Sequence, residues 1–577
     1  MILTGYFSEE DSPFNLAIFR IILFSSVLFF FRLNDFVWFS RLPAELKVPP
    51  LGMGFLLSVV PVNPQATKII GVLFMVFCFL GLIGWFTRTA SFSAALSGVY
   101  ILGLPQCYGK VDHIYHHMVW FMLLLGTSRC ADVLSVDAVW KAFREADRGR
   151  IVENGKSAEY GRPLRFIWML MGIIYFFPGL WKLLSGWRWV FSDNLRNRLY
   201  DKWYEMGGWV PVFRIDQTPW LCQLSALATV FFELSFVVLI LFPLARPMAA
   251  LGGLLFHNLT YTFMKIGFFP LQVCYLSFVN WAGLSARTGR RFFKKPLILL
   301  YDGNCKLCRR TISAIRQFDV FQRVFYVNAM DGKPAMPPGS PSIDPDDLMR
   351  DMHAVVGGKK WRGYEAYRVL AQRIPVFWPL WPFLWLWPVP PIGRWVYRKV
   401  ADSRLCLLKT PPVSGGPPER GSSLRLLNWI GIILLSFNFA FGISKREAAW
   451  PFVCYPAFSG LMEKPEKTKL MVCAFDGFKE EEIDLIRCLG QDMNPNKIYG
   501  VTRVILKSPA GDQRNDRLRT LVRMMREKGA DFGKASTIRF YEAIYSVEPG
   551  KMDQAYLSRK LLAELAIPAD NRGELNP

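Results

Sequence analysis

The sequence predicts a multi-domain protein in which a polytopic α-helical membrane bundle is followed by an α/β domain and a small C-terminal α+β domain. Three observations predict it. Long apolar segments recur through the first 285 residues, a short apolar strand at 296–301 turns straight into a helical pattern, and strand-like and helical runs alternate after residue 450. With 52% hydrophobic and 15% aromatic residues against 20% charged, the 577-residue chain is neither disordered, collagen-like nor a disulfide-stapled scaffold.

The bundle occupies 1–290. Its first residues, Met1 to Pro13, include Glu9, Glu10 and Asp11 and no basic side chain, so a cleaved signal peptide is not expected. Apolar segments follow at 14–32, 67–87, 89–106, 112–129, 164–183, 219–243, 247–264 and 270–285. Each is close to the ~17–25 residues that cross a bilayer, giving about eight spans. The last two flank Gly267-Phe268-Phe269-Pro270 and are either two short spans or one broken helix.

The α/β domain covers 296–406, with a strand at Pro296–Tyr301, a helix from Cys305 to about Phe318 and a second strand at 323–328. Ile374–Tyr397 carries Trp378, Trp381, Trp385, Trp387 and Trp395, but also six prolines. A lipid-exposed span would leave the freed backbone groups unpaired. The segment is therefore expected to lie along the membrane interface, in preference to a broken span. Residues 410–423 are a linker by composition and 424–443 an additional transmembrane helix. In 450–577 strands are expected at 468–475, 499–507 and 537–547, and helices at 478–489, 514–529 and 552–566.

Charge orients the chain. Of the net +23, residues 286–425 contribute +14, from 24 basic and 10 acidic side chains. The 130–163 connection (Lys141, Arg144, Arg148, Arg150) and the segment after the bundle (Arg287, Arg290, Arg291, Lys294) are the basic ends expected in the cytoplasm. The thiol-bearing domain and the N-terminus then face the cytoplasm, against an anionic leaflet, and the C-terminal domain lies outside it. Such a protein belongs in a plasma or inner membrane. No basic run interleaved with aromatics and no reader motif points to nucleic acid.

Eleven cysteines are too sparse for a disulfide framework, and only Cys305 and Cys308 form a close pair. Asp302-Gly303-Asn304-Cys305-Lys306-Leu307-Cys308 sits where a strand becomes a helix. Cys305 falls at the helix N-terminus, where unpaired N–H groups and the helix dipole favour a thiolate, with Lys306, Arg309 and Arg310 adding positive potential. Cys305 would attack a disulfide and Cys308 would resolve the mixed disulfide with a thiol/disulfide protein partner. Half a zinc site is the alternative, but the domain holds no second C-x-x-C, and no metal is predicted. These residues, with Gly363-Tyr364-Glu365-Ala366 and Tyr397–Arg404, resemble the DCC family of thiol-disulfide oxidoreductases. The resemblance implies a thioredoxin-like fold and a redox-active disulfide.

Ionisable residues inside spans are functional candidates. Asp112-His113-Ile114-Tyr115-His116-His117 opens the fourth span, Lys182 ends the fifth, and His257 lies in the seventh. A desolvated lysine can serve as a base, but Lys182 could equally snorkel, and the histidines could be bundle hydrogen-bonders or metal ligands. His113 with Tyr115, Ser135-Val136-Asp137, Gly179-x-x-Lys182-Leu183, Phe256-His257 and Ile266-Gly267-x-Phe269-Pro270 resemble the HTTM domain shared with vitamin K-dependent γ-carboxylase. That resemblance implies Lys182 as the base that deprotonates the hydroquinone of a vitamin K-like quinone, or acts on a lipidic substrate, with His113, Tyr115, His116 and His257 in the same pocket. It lacks the large lumenal portion of the animal carboxylases. The expectation is an integral membrane redox enzyme, with a carboxylase-like modifying enzyme as the alternative.

Overall fold

The computed structural model describes residues 2–109, 111–151, 155–329, 347, 350–407, 423–446, 449–452, 458–490, 493, 495–530, 532–533, 535–551 and 556–567. The N-terminal region is helical: α1 (Pro13–Phe30), α2 (Pro64–Ile83), α3 (Thr87–Gly103), α4 (His116–Thr127), α5 (Val136–Asp147), α6 (Ala158–Leu184), α7 (Asn194–Glu205), α8 (Pro219–Leu239), α9 (Arg246–Met264) and α10 (Trp281–Phe292). The starts of several are written locally. Ser12 and Asn63 accept hydrogen bonds from Phe14 N–H and Ala66 N–H, and each is followed by a proline at the first helical position.

Among the described residues five helices are long and apolar enough to cross a membrane: α1, α2, α6, α8 and the later helix over 424–443. The expected segment 112–129 holds the 12-residue α4, which is buried, and 270–285 holds a six-residue helix, Phe269–Cys274, a 3-10 turn and the start of α10. Buried Arg20 of α1 donates to the carbonyls of Gly81 (2.8 Å) and Leu82 (3.0 Å), closing the C-terminal end of α2.

The second unit contains β1 (Leu297–Tyr301), α11 (Lys306–Arg316), β2 (Val324–Asn328), β3 (His353–Val356), β4 (Lys359–Arg362), α12 (Tyr364–Arg373) and α13 (Val389–Leu407). Its sheet runs β2-β1-β3-β4, with β1 parallel to β2 and β3 antiparallel to both β1 and β4. Residues of α11 and α12, among them Ile312, Ile315, Val369 and Leu370, bury against Leu297, Leu299 and Ala354 on one face. This is a thioredoxin-like α/β domain. The tryptophan-rich stretch forms two 3-10 turns and the beginning of α13, and Trp387 is 86% exposed. The expected linker 410–423 lies, apart from Ser423, outside the described residues.

Helix α14 (Ser423–Ile443) packs along α6 through two glycines. A Cβ on Gly431 would meet the Phe166 ring at 2.5 Å, and one on Gly442 the Phe177 ring at 2.2 Å. The C-terminal unit then adds β5 (Glu466–Phe475), β6 (Glu480–Glu482), α15 (Pro495–Lys507), α16 (Asp512–Glu527), β7 (Thr537–Ser546) and β8 (Ser558–Ala566), with an antiparallel sheet ordered β6-β5-β7-β8. Three expectations are corrected here. Residues 499–507 lie in helix α15, whose Ile498, Val501 and Ile505 bury one face, and 558–566 form an edge strand on β7 instead of a helix. Residues 480–482, expected to be helical, are strand β6.

Helix α6, ~40 Å long by its 27 residues, measures the separation of the two soluble units. At its N-terminal end Ser157 bridges to Asp11, Leu134 N–H donates to Gln317 O, and α5 packs on α11. At its C-terminal end Ser185 donates to Ser459 O, and Lys467 reaches Asp201 and Glu205 at 2.7 Å. The thiol-bearing domain and the C-terminal domain therefore dock on opposite ends of the bundle, and α14 carries the chain between them.

Candidate functional site

Cys305 and Cys308 are set by a strand, a turn and a helix in immediate succession. Gly303 N–H donates to Asn328 Oδ1 at 2.9 Å, which ties the turn to the end of β2, and a Cβ on Gly303 would lie 2.2 Å from that oxygen. Asn304 N–H donates to Asp302 Oδ1 (2.9 Å). The chain then enters α11 with Cys305 as its N-cap, and Cys308 N–H donates to Cys305 Sγ at 3.4 Å. A sulfur placed there receives the partial positive charge of the helix terminus. Both cysteines are buried, each 4% exposed.

The three cations expected to raise the potential behave differently. Lys306 and Arg310 both pair with Asp147 of α5, Arg310 at 2.5 Å, and the pairing holds the Asp147 carboxyl below its ordinary value. Their charge is therefore shared with that carboxylate. Arg309 is buried and bridges Gly303 O (2.7 Å) and Ala146 O (3.0 Å). It locks the loop before the thiols to the end of α5, so the reactive end of the domain is fixed on the bundle.

At the other end of α11, Asp319 accepts from Arg323 N–H (3.3 Å) and Val324 N–H (3.2 Å). Burial pushes its carboxyl up to about 6. The folded protein thus keeps a proton on Asp319 that the unfolded chain releases near pH 4. Stability falls as pH rises between these two values and is level above them. Asp319→Asn is expected to flatten that slope, read as the midpoint of thermal unfolding of the full chain in detergent from pH 4 to 7. An unchanged slope would refute the assignment.

Inside the bundle, Lys182 and Glu233 are each 3% exposed and paired with one another, with the Lys182 ammonium 5.3 Å from the Trp189 ring. Gly179, one turn before Lys182, makes this approach possible, because a Cβ there would meet Glu233 Cβ at 2.8 Å. Two turns before Lys182 on α6, Tyr175 shares hydrogen bonds with His257 Nε2 (2.5 Å) and with Tyr275. The ring of His116 contacts His113, His117 and Trp120, and Tyr115 packs on Phe36. The structure thus places Lys182 with Glu233, His257 with two tyrosines, and His113 with His116. Tyr115 packs on Phe36, in the short helix Leu33–Phe39 that follows α1. Among the described residues no group of three or more His, Cys, Asp and Glu has a metal-holding arrangement.

Glu233, Tyr175 and Tyr275 escaped the sequence reading. For Glu233 the signal was present, a lone carboxylate in the apolar run 219–243. The tyrosines carry no such signal in spans already rich in aromatics.

The site is thus a close pair of cysteines at the start of the helix after β1, on a mixed four-stranded sheet. Residues 299–410 match the family model of DCC1-like thiol-disulfide oxidoreductases. No curated protein and no solved structure matches the chain.

Proposed function

We propose that the protein is a membrane-embedded thiol-disulfide oxidoreductase whose Cys305 attacks and whose Cys308 resolves. The observation that carries this reading is Cys305 at the N-cap of α11, with Cys308 N–H directed at its sulfur. In the reaction the Cys305 thiolate attacks one sulfur of a substrate disulfide and expels the other as a thiolate. Cys308 then attacks Cys305, releasing the second substrate thiol and leaving a Cys305–Cys308 disulfide. The test is reduction of a disulfide reporter by the full-length protein in detergent, against Cys305→Ser.

The domain works on the cytoplasmic face in this reading. Its exposed Trp378, Trp385, Trp387 and Trp395 lie in a chain held at both ends by apolar helices, which suits a surface resting on the bilayer. The bundle is the HTTM-like partner, taking a quinone-like or lipidic molecule. Lys182 lies ~36 Å along α6 from the end of the helix on which the thiol domain docks, so direct electron exchange between the two centres is not part of this reading.

A second reading is favoured by the Lys182–Glu233 pair beside the Tyr175–His257–Tyr275 hydrogen bonds, an interior proton-handling group. It is a γ-carboxylase-like modifying enzyme in which a vitamin K-like hydroquinone, oxidised by O2 when bound, would supply the base strength that removes a glutamyl γ-proton ahead of CO2 addition, and the thiol domain would return the quinone to its reduced form. Lys182 would have to leave Glu233 to act as the base. Co-expressed secreted proteins should then carry a +44 Da glutamyl mark, seen by mass spectrometry and lost with Lys182→Ala. No mark in either sample would exclude it.

A further inference from the structure

A cavity of about 1530 Å³ lies between the bundle and the thioredoxin-like domain, on the side where the cysteines are and away from Lys182. Its inner wall is built by the chain before α1, the first half of α6 and the start of α9. Its opposite wall is the edge strand β2 with the turn that precedes it. Apolar side chains of α9, including Ala250, Leu251 and Leu254, line one flank, and Leu251 is 66% exposed on the outer surface of that helix. The cavity is therefore continuous with the exposed apolar face of α9 that Met248, Leu251 and Leu255 form.

Its polar side has an unusual composition. Arg165 Nε and Nη1, Gln272 Nε2 and Tyr326 Oη are buried without a hydrogen-bond partner among the described residues, and all three side chains line the cavity. Arg165 is 3% exposed, and its Nη1 lies 3.6 Å from Asp11, too far for a hydrogen bond. Gln272 is oriented by Asn258, which donates to its Oε1 at 3.3 Å, so its amide N–H groups are left over. Burial pushes the Tyr326 hydroxyl up, keeping it a neutral donor. Each unpartnered atom is a donor. Unpaired buried donors are costly, so they call for acceptor oxygens on whatever fills the space.

Charge narrows the choice. Arg165 and Arg246 are matched by Glu9, which receives 2.8 Å and 2.6 Å contacts from them, and by Asp11. The inner wall has no surplus positive charge for an anion. The ring of Trp168 is stacked on Phe278 at 4.7 Å and 10° and carries the Arg165 guanidinium over it at 4.3 Å, so it holds the arginine at the cavity wall. We infer that this interface cavity binds a bilayer amphiphile whose polar end presents carbonyl oxygens to Arg165, Gln272 and Tyr326, its chain running along α9. Quinone rings and glycerolipid esters share that chemistry. The inference deepens the proposed membrane-linked function by moving the lipidic ligand to the thiol domain's own side. The cavity borders the C-terminal end of α11, ~16 Å from Cys305 by helix rise, so no direct contact with sulfur is assigned.

The test uses full-length protein in nanodiscs, given either decylubiquinone or a phosphatidylcholine with a diazirine in its acyl chain. Retained ligand is quantified by mass spectrometry after washing, and photocrosslinked peptides are mapped. At least one probe should be retained, with the phospholipid crosslinking 243–254 or 272–286 if esters are the ligand. Gln272→Leu with Tyr326→Phe should weaken retention roughly tenfold or more. Ala250→Trp, which fills the space and removes no polar atom, should do the same if the double variant folds poorly. Retention of neither probe, or retention unchanged in both variants, would overturn the inference. Because the readout involves no thiol, a failed disulfide assay and an empty cavity are separate results.

Discussion

Replacing Cys305 with Ser should reduce disulfide-reporter reduction by the full-length protein by at least about a thousandfold, to the background of the reductant alone. The expectation follows from position. Cys305 Sγ is the atom that accepts Cys308 N–H at the start of α11, where a helix terminus would stabilise its thiolate. A serine hydroxyl keeps the cap hydrogen bond, and the variant should fold with nearly unchanged stability. Cys308→Ser should behave differently. The first attack still occurs, but the mixed disulfide has no resolving thiol and accumulates, visible as an adduct on non-reducing gels. If Cys305→Ser retains reporter activity, or Cys308→Ser alone abolishes attack with no adduct, the roles assigned here are wrong. Both sulfurs are 4% exposed, so a small reporter should react faster than a folded protein unless the partner displaces the cover.

Local chemistry made the thiol site legible. An apolar strand, a turn rich in Asp, Gly and Asn, and a cysteine at a helix start are all encoded within about a dozen residues. The structure follows them: β1 over Leu297–Tyr301 and α11 from Lys306. What sequence could not supply was the partner of each charge. Lys306 and Arg310 read as free potential for the thiolate, whereas Asp147, 159 and 163 residues earlier, takes up part of their charge. Secondary structure failed where tertiary packing overrode propensity. Tyr499-Gly-Val-Thr-Arg-Val-Ile-Leu506 is β-branched enough to suggest a strand, yet it is helical because Ile498, Val501 and Ile505 face the core. Ser558–Ala566 is rich in Lys, Leu, Ala and Glu, good helix formers, but lies on β7 as an edge strand. The bundle shows the same limit. The ionisable residues were visible in the spans, but the pairing of Lys182 with Glu233, 51 residues away, rests on how α6 and α8 pack.

That pairing supports the other large effect. Lys182→Ala should destabilise the bundle by about 3–5 kcal/mol, because it leaves the Glu233 carboxylate buried with no counter-charge. Glu233 Oε2 already lacks a hydrogen-bond partner among the described residues, so nothing nearby is placed to take over. A simple loss of activity in Lys182→Ala would therefore say nothing about catalysis. The informative variant is Lys182→Met with Glu233→Leu, which removes both charges and keeps the volume. Such a replacement of a buried pair is often neutral or stabilising, and its unfolding midpoint in detergent should return to that of the native chain or exceed it. If the glutamyl mark or any quinone-dependent turnover also returns, the pair is structural and Lys182 is not a base. If stability returns while an activity shown by the native chain stays absent, the pair takes part in the chemistry.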